Sequence, residues 1–137
     1  MAVKWFLPEP LTVEALTWLS PDVELLAPDL LHAEVANVVW QRVQRREIRD
    51  VEARAVLTSL TATPIMLTST GSLVAAALEI SLAARIAVYD AIYLALAGAY
   101  ACPLVTADRK LADRAREHDA KISIRWLGEP GLQANPR

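Results

Sequence analysis

Short apolar runs alternate with longer segments of helical periodicity along this chain. The apolar runs predict strands at residues 23–27, 64–67, 104–106 and 122–126. The segments around them predict helices at residues 12–19, 30–46, 51–60, 72–84, 88–100 and 108–118. Proline marks several boundaries, and Pro28 with Asp29 is typical of a helix start. This alternation predicts an α/β domain with a mainly parallel sheet.

The chain has 137 residues, without an internal repeat, a low-complexity tract or a long linker. We therefore predict a single domain over residues 1–137, with a loosely ordered tail from about residue 128. Hydrophobic residues make up 54% of the sequence and charged residues 22%. Because this apolar share is high, we expect thoroughly buried helices together with an apolar surface that a partner covers.

The cysteine content and the hydropathy restrict the setting of the protein. Cys102 is the single cysteine, so a disulfide framework and a multi-thiolate zinc site are excluded and a reducing cytoplasm is expected. The longest nearly uncharged run, residues 86–107, contains Asp90 and Pro103, which a membrane span tolerates poorly. We expect a soluble protein without a membrane partner.

The net charge is −2, so there is no global basic footprint for nucleic acid. Four arginines nevertheless cluster at the end of the predicted helix 30–46: Arg42, Arg45, Arg46 and Arg49. They are typical of a solvated helix end, where cations favour the helix dipole. They could also line an approach path for RNA or pair with acids across a dimer, and the sequence does not decide between these readings.

Three acids lie outside a simple core-and-surface pattern. Glu34 shares a narrow polar stripe with Asn37 and Gln41, flanked by apolar residues, which is either a thin solvent edge or a site. Asp90 is the only charged residue in the 22-residue run 86–107. It acts either as a cap or first-turn residue of the next helix or as a ligand. Asp108 follows a predicted strand end, where both helix capping and ligand binding are common.

Taken together, the three carboxylates indicate a site for a hard cation such as Mg²⁺ or Mn²⁺. Carboxylate-bound ions of this kind hydrolyse phosphodiesters by activating water and neutralising developing charge. Two familiar alternatives are absent from the sequence. His32-Ala33-Glu34 matches half of a zinc deaminase signature without its paired cysteines, and neither a P-loop nor a nucleophile elbow occurs.

The order of four segments resembles the VapC-type PIN-domain family across nearly the whole chain. The matching segments are residues 2–9, Pro28-Asp29-Leu30 leading to Glu34 and Asn37, residues 89–97 beginning Tyr-Asp-Ala, and residues 104–111 with Val-Thr-Ala-Asp. The resemblance implies a three-layer α/β/α domain and Mg²⁺- or Mn²⁺-dependent endoribonuclease activity. It also implies an RNA substrate, homodimerisation and inhibition by a VapB-type antitoxin. Its catalytic positions here are Glu34, Asp90 and Asp108 as metal ligands, Thr106 as an accompanying hydroxyl, and Asn37 as a supporting neighbour.

The sequence departs from that family at its beginning. Members usually carry a strand ending in an aspartate just before the stretch that matches residues 2–6, so we expect the first strand and its acid to be missing from the sheet. Three explanations stay open: an initiation site upstream of Met1, a degenerate toxin, or a substitute acid. Asp22 and Asp113 lack a motif context for that last role.

Two functions from different classes follow from these patterns. The first is an RNA-cleaving toxin whose ion is held by the three acids. The second is a PIN-like binding module that engages antitoxin or RNA without cleavage, because one acid is absent. A receiver-like phosphorylation switch also has acids at strand ends, but the required aspartate pair and late lysine are absent here.

Overall fold

Helices and short strands alternate through the chain in a computed structural model that describes residues 1–118 and 123–132. Within these residues the α-helices are α1 Thr12–Leu16, α2 Leu30–Gln44, α3 Asp50–Ala62, α4 Thr70–Ala84, α5 Val88–Ala99 and α6 Arg109–His118. The strands are β1 Leu25–Pro28, β2 Ile65–Thr68, β3 Leu104–Thr106 and β4 Ile124–Trp126. Short 3-10 helices cover Ala2–Trp5 and Thr17–Leu19.

Every predicted helix and strand is present, and all except β3 have one or both ends shifted. The predicted helix 12–19 divides into α1 and the 3-10 helix Thr17–Leu19. The first strand begins at Leu25 rather than at residue 23, and α2 ends at Gln44 rather than at residue 46. The predicted start of the last strand at residue 122, and residues 133–137 of the tail, lie outside the described residues.

All strand pairing in the described residues is parallel, which confirms the predicted α/β class. β1 pairs with β2, with Leu25 opposite Ile65, and β3 pairs with β4, with Leu104 opposite Ile124. These are two separate two-stranded sheets, because β1 and β3 are not hydrogen-bonded to each other. The predicted mainly parallel sheet, expected without its first strand, is divided between β1 and β3.

The core is built around α5, which explains the apolar run 86–107. Six of its residues are buried: Ala91, Ile92, Leu94, Ala95, Leu96 and Ala97. All of them except Ala97 pack with side chains of α4, α6 and β4 in one cluster. Within the described ranges, no helix alone has the length and hydropathy for a membrane span; α4 and α5 pass that test only as a pair bent by 113°.

A second core cluster joins α2 and α3 to the N-terminal segment through Val35, Val39, Val56 and Leu60. Ion pairs support that junction. Lys4 Nζ donates to Glu9 Oε2 at 2.8 Å, and the Arg42 guanidinium donates to Glu9 Oε1. Glu9 therefore ties the N-terminal segment to the last turns of α2.

Candidate functional site

A cleft of about 1090 Å³ separates β1 from β3. Its walls include Leu26 of β1 and Val105 of β3, and α5 contributes Leu96. The four predicted site residues, Glu34, Asp90, Thr106 and Asp108, all line this cleft. The structure thus gathers residues that are up to 74 positions apart in the sequence into one concave surface.

Glu34 reaches the cleft because Pro28 and Asp29 end β1 and start α2, which places Glu34 in the second turn of that helix. Its Oε2 accepts a hydrogen bond of 2.5 Å from the Tyr93 hydroxyl. Burial, followed by the hydrogen bond and charge of Glu34, raises the pKa of Tyr93 well above its usual range. The phenol therefore stays protonated and donates to the Glu34 carboxylate.

Asp90 lies in the first turn of α5, one turn before Tyr93. The cap position is Ala87, and no side-chain cap hydrogen bond is present. The Asp90 carboxylate is half-buried and makes neither a hydrogen bond nor an ion pair within residues 1–118 and 123–132. Burial first, and the nearby Asp108 second, raise its pKa above the usual value. Asp90 is therefore a first-turn residue of α5 without being its cap.

Asp108 both caps α6 and faces the cleft. Its Oδ1 accepts from the Leu111 amide at 3.1 Å, as the capping hypothesis predicts. Its own amide donates to Thr106 Oγ1 at 3.0 Å, which fixes the turn between β3 and α6. Thr106 is the one buried polar residue found in the described core. The cap uses one carboxylate oxygen of Asp108 and leaves Oδ2 available.

One further charged group, the Met1 α-amino group, contributes to the electrostatics of the cleft. Burial first, and Lys4 second, lower the pKa of this group, whereas the charge of Glu34 raises it.

Asn37 does not join the site. It lies one turn along α2 from Glu34, is exposed and does not line the cleft. The supporting role expected for Asn37 therefore has no basis in the described contacts.

The acids are coupled in pairs rather than gathered at one point. Asp90 acts electrostatically on Tyr93 and is itself influenced by Asp108, while Glu34 bonds Tyr93. In the described part of the chain, no three His, Cys, Asp or Glu side chains are close enough to hold one ion together. Tyr93 is the site residue that the sequence did not reveal, although its spacing of three from Asp90 places both on one helix face.

The donor set nevertheless suits a small hard cation. Mg²⁺ is usually held by one or two carboxylates and keeps several waters or substrate phosphates as its remaining ligands. Asp90, half-buried without a protein partner, and Oδ2 of Asp108 supply such carboxylate oxygens. A half-buried carboxylate without a partner is costly unless a cation compensates it.

The arginine cluster has partners within the chain. Arg42 pairs with Glu9 and lies 3.5 Å from Glu47, and Arg49 pairs with Glu52 at 3.0 Å. Arg45 and Arg46 are exposed at the end of α2. Ion pairs within the chain thus involve Arg42 and Arg49, and none of the four arginines lines the cleft.

Comparisons with known proteins agree with this fold. The PIN-domain family model matches residues 1–117. Ribonuclease VapC3 of Pyrobaculum aerophilum is 32% identical over 111 residues, covering 80% of this chain and 85% of the relative. The match includes α2, α5 and β3, which carry Glu34, Asp90 and Thr106, and the turn before α6 that carries Asp108. The chain belongs to the PIN-domain family.

Proposed function

We propose that this protein is a metal-dependent endoribonuclease, the toxin of a type II toxin–antitoxin pair. The similarity to a relative named as a ribonuclease supports RNA as the substrate class. The observation that carries the proposal is Asp90: a half-buried carboxylate without a protein partner, in the same cleft as Glu34 and Asp108. A cation and a substrate phosphate would complete such a site.

The residues that would hold Mg²⁺ or Mn²⁺ are Asp90 and Asp108, with Glu34 at the side of the same cleft. When bound, the ion would supply charge neutralisation at the scissile phosphate and a more acidic water. Tyr93 orients Glu34 by donating to its carboxylate. The cap on α6 orients Asp108, because the Leu111 amide holds one of its oxygens. Both acids are thereby fixed before substrate binds, which lowers the ordering cost of the reaction.

Cleavage of RNA tests this proposal directly. We expect the full chain to cleave RNA in the presence of Mg²⁺ or Mn²⁺, and we expect EDTA to abolish the cleavage because it removes the ion. Loss of a charge-stabilising group at such a site costs about a hundredfold or more in rate, so Asp90→Asn should fall by at least that much. Asp50→Asn is the matched control, because Asp50 is also in the first turn of a helix but lies outside the cleft. Equal cleavage by Asp90→Asn and the parent chain would contradict the role assigned to Asp90 in the site.

The alternative is a binding module that engages antitoxin or RNA without cutting it. The specific observation that favours it is the pairwise arrangement of the acids, since three of them do not converge in the described residues. This alternative predicts RNA binding without EDTA-sensitive cleavage. In that case Asp90→Asn would leave the bound fraction of RNA unchanged or increase it, because a negative charge leaves the cleft.

Two protein partners belong to the same proposal, a VapB-type antitoxin and a second copy of the chain. An exposed apolar row on α4 supports the dimer: Val74, Leu78 and Leu82 follow at spacings of four and are 43%, 46% and 69% exposed. Residues at this spacing lie on one face of a helix. A twofold dimer would bury the same face of both copies. The cytoplasmic setting stays a prediction from the single cysteine, Cys102.

A further inference from the structure

The Arg109 side chain stacks on Trp126 at the start of α6. Its guanidinium carbon lies 5.2 Å from the centroid of the indole ring, within the range of a cation–π contact. The Arg109 side chain is nevertheless 71% exposed, and the 3.8 Å between its Nε and Asp113 Oδ2 is too long for a hydrogen bond. In the part of the chain that the structure describes, no hydrogen bond occupies the guanidinium N–H groups. The stacked guanidinium therefore presents its donors to solvent.

The indole beneath Arg109 is held in place by its own surroundings. Trp126 ends β4 and packs against the α5 core cluster. Gly128 adjoins the ring so closely that a Cβ at this position would lie 2.4 Å from Trp126 Cζ2. Because the ring has little room to tilt, a guanidinium stacked on it keeps a defined plane. A side chain that is already oriented loses less conformational entropy when it binds a ligand.

The stack adjoins the residues of the proposed site. Trp126 pairs with Thr106 in the ladder of β3 and β4, and the Leu127 amide donates to Thr106 O at 2.8 Å. Arg109 directly follows Asp108, whose Oδ1 caps α6. Both members of the stack therefore lie at the carboxyl end of this strand pair, where ligands bind in parallel α/β sheets. Neither of them lines the cleft, so the stack lies beside it.

The charges around the cleft give this position its importance. Acids line the cleft, among them Glu34, Asp90 and Asp108, whereas no described lysine or arginine does. An RNA strand carries a negative charge at every linkage, so the phosphates on either side of the acids need cations from outside the cleft. Arg109 is the first cation beyond Asp108 along the chain. Its planar fork of N–H donors matches two oxygens of one phosphate, which a lysine ammonium does not.

We propose that Arg109, held on the Trp126 ring, binds a backbone phosphate of RNA next to the phosphate that lies at the acids. The guanidinium is then a substrate-binding residue that fixes the register of the RNA strand, and it takes no part in bond cleavage. This inference rests on the proposed function for RNA as the ligand. It does not require cleavage, because a module that only holds RNA would use the same contact.

Fluorescence anisotropy with a labelled, unstructured RNA of about 12 nucleotides tests the proposal. The reference protein is the full chain with Asp90→Asn, measured with Mg²⁺, so that the RNA stays intact. Adding Arg109→Ala should raise the Kd about tenfold, because charge-assisted hydrogen bonds to the phosphate are lost. The slope of log affinity against log salt concentration should become shallower by about 0.7, the value for one phosphate contact on a single strand.

Arg114→Ala is the matched control. Arg114 is on the same helix and its loss changes the net charge equally, but it donates to Arg85 O at 3.5 Å, at the end of α4. Its replacement should change the Kd less than about twofold. Arg109→Lys retains the charge without the fork, so it should restore the salt slope while the Kd stays about three- to fivefold above the reference.

Trp126→Leu separates RNA binding from a purely structural role of the stack. It removes the platform and should raise the Kd, and adding Arg109→Ala to it should cause little further loss, because both changes affect one contact. Arg109→Ala alone should lower the melting temperature by less than about 4 °C, since an exposed cation–π contact contributes little to stability. A stack that serves only the fold would lower the melting temperature and leave the Kd for RNA unchanged, which would contradict the proposal.

Neutral methylphosphonate linkages locate the phosphate. Placed one at a time, they should raise the Kd of the reference protein about tenfold at one position, and this effect should disappear with Arg109→Ala. Abasic nucleotides test the competing ligand, a base stacked on the guanidinium. If an abasic nucleotide, rather than a neutral linkage, removes the effect of Arg109→Ala, phosphate recognition is refuted.

Three further outcomes would overturn the proposal. They are no RNA binding at 100 µM reference protein, an unchanged Kd with Arg109→Ala, and an equal loss with Arg114→Ala. If circular dichroism finds Trp126→Leu unfolded, Arg109→Lys and the neutral linkages still decide the question on folded protein. The cleavage assay on the parent chain fails separately. Cleavage together with an unchanged Kd for Arg109→Ala refutes only the phosphate contact, whereas weaker binding without any cleavage refutes only the nuclease.

Discussion

At the scale of single residues, Asp90 carries the largest electrostatic cost of the site. Its carboxylate is desolvated and close to Asp108, and both effects raise its pKa above its ordinary value of 3.8. The folded state therefore binds the Asp90 proton more tightly than the unfolded chain does. It follows that the free energy of unfolding falls as pH rises from 3.8 through the folded-state pKa of Asp90.

Asp90→Asn should consequently stabilise the fold at neutral pH while it removes activity. We expect a melting temperature about 2–4 °C above that of the parent chain at pH 7. The difference should disappear below about pH 3.8, where the parent aspartate is protonated as well. Thermal unfolding followed by circular dichroism between pH 3 and 8 measures the difference in melting temperature and its dependence on pH, with Asp50→Asn as the control. A lower melting temperature of Asp90→Asn than of the parent chain at pH 7 would contradict a destabilising effect of the ionised Asp90 carboxylate.

Tyr93 is a positioning residue, since it acts on the proposed site through Glu34. Tyr93→Phe removes the phenol and leaves the ring in the core, so the fold should lose only about 1 kcal/mol. Partners that orient ligands typically contribute about 10–100-fold in metal affinity, and we expect Mn²⁺ binding to weaken about tenfold. Isothermal titration with Mn²⁺ measures this loss. Tyr89→Phe is the control, because Tyr89 is 66% exposed; equal losses in both variants would contradict a specific role.

The acids could be found from sequence because a carboxylate in an apolar run conflicts with burial, and that conflict is visible without coordinates. Asp90 is the clearest case. Tyr93 gave no such signal, because an aromatic residue in an apolar helix is typical of core packing. The dual role of Asp108 was likewise undecidable, since helix capping and ligand binding favour the same residue at the same position. Asn37 shared the periodicity of Glu34, but periodicity places a side chain on a face without giving it a contact.

At the scale of elements, the sequence predicted each type correctly, because short apolar runs differ in length from the longer segments of helical periodicity. β3 was predicted with its observed ends, Leu104–Thr106, between turn residues on both sides. The ends of α2 and β1 were less accurate, since the final turn of a helix depends on tertiary contacts. One such contact is Glu9 with Arg42, which joins a segment 33 residues away to the end of α2.

Glu9→Gln tests that junction. The Lys4, Glu9 and Arg42 side chains are 13%, 18% and 24% exposed, so the two cations are partly desolvated. Removing the carboxylate leaves Lys4 and Arg42 without the negative charge that both contact. We therefore expect a loss of about 1–3 kcal/mol in the free energy of unfolding. Urea denaturation at low salt measures the change. Glu52→Gln, whose partner Arg49 is well exposed, is the control and should cost below about 1 kcal/mol. Equal losses would mean that Glu9 contributes no more than a surface ion pair.

At the scale of the whole molecule, the strand pairing could not be read from the sequence in full. A parallel arrangement followed from the alternation of strands and helices, but the partner of each strand depends on distances between elements. The apolar content likewise indicated covered surfaces without locating them. The structure distributes that content between the α5 core, the β1–β3 cleft and the exposed row on α4.

The α4 row defines the last prediction, which concerns assembly. In a twofold dimer, Leu82 of each copy would lie in the shared apolar face, so Leu82→Lys would introduce two charges into it. We expect the dimer Kd to rise at least about a hundredfold, because a desolvated unpaired charge costs several kcal/mol. Sedimentation velocity between 1 and 100 µM protein measures the Kd. Val13→Lys is the control, since Val13 is 76% exposed on α1 and outside the row. A parent chain that is monomeric at 100 µM, or a Leu82→Lys variant that dimerises like the parent, would exclude α4 as the interface.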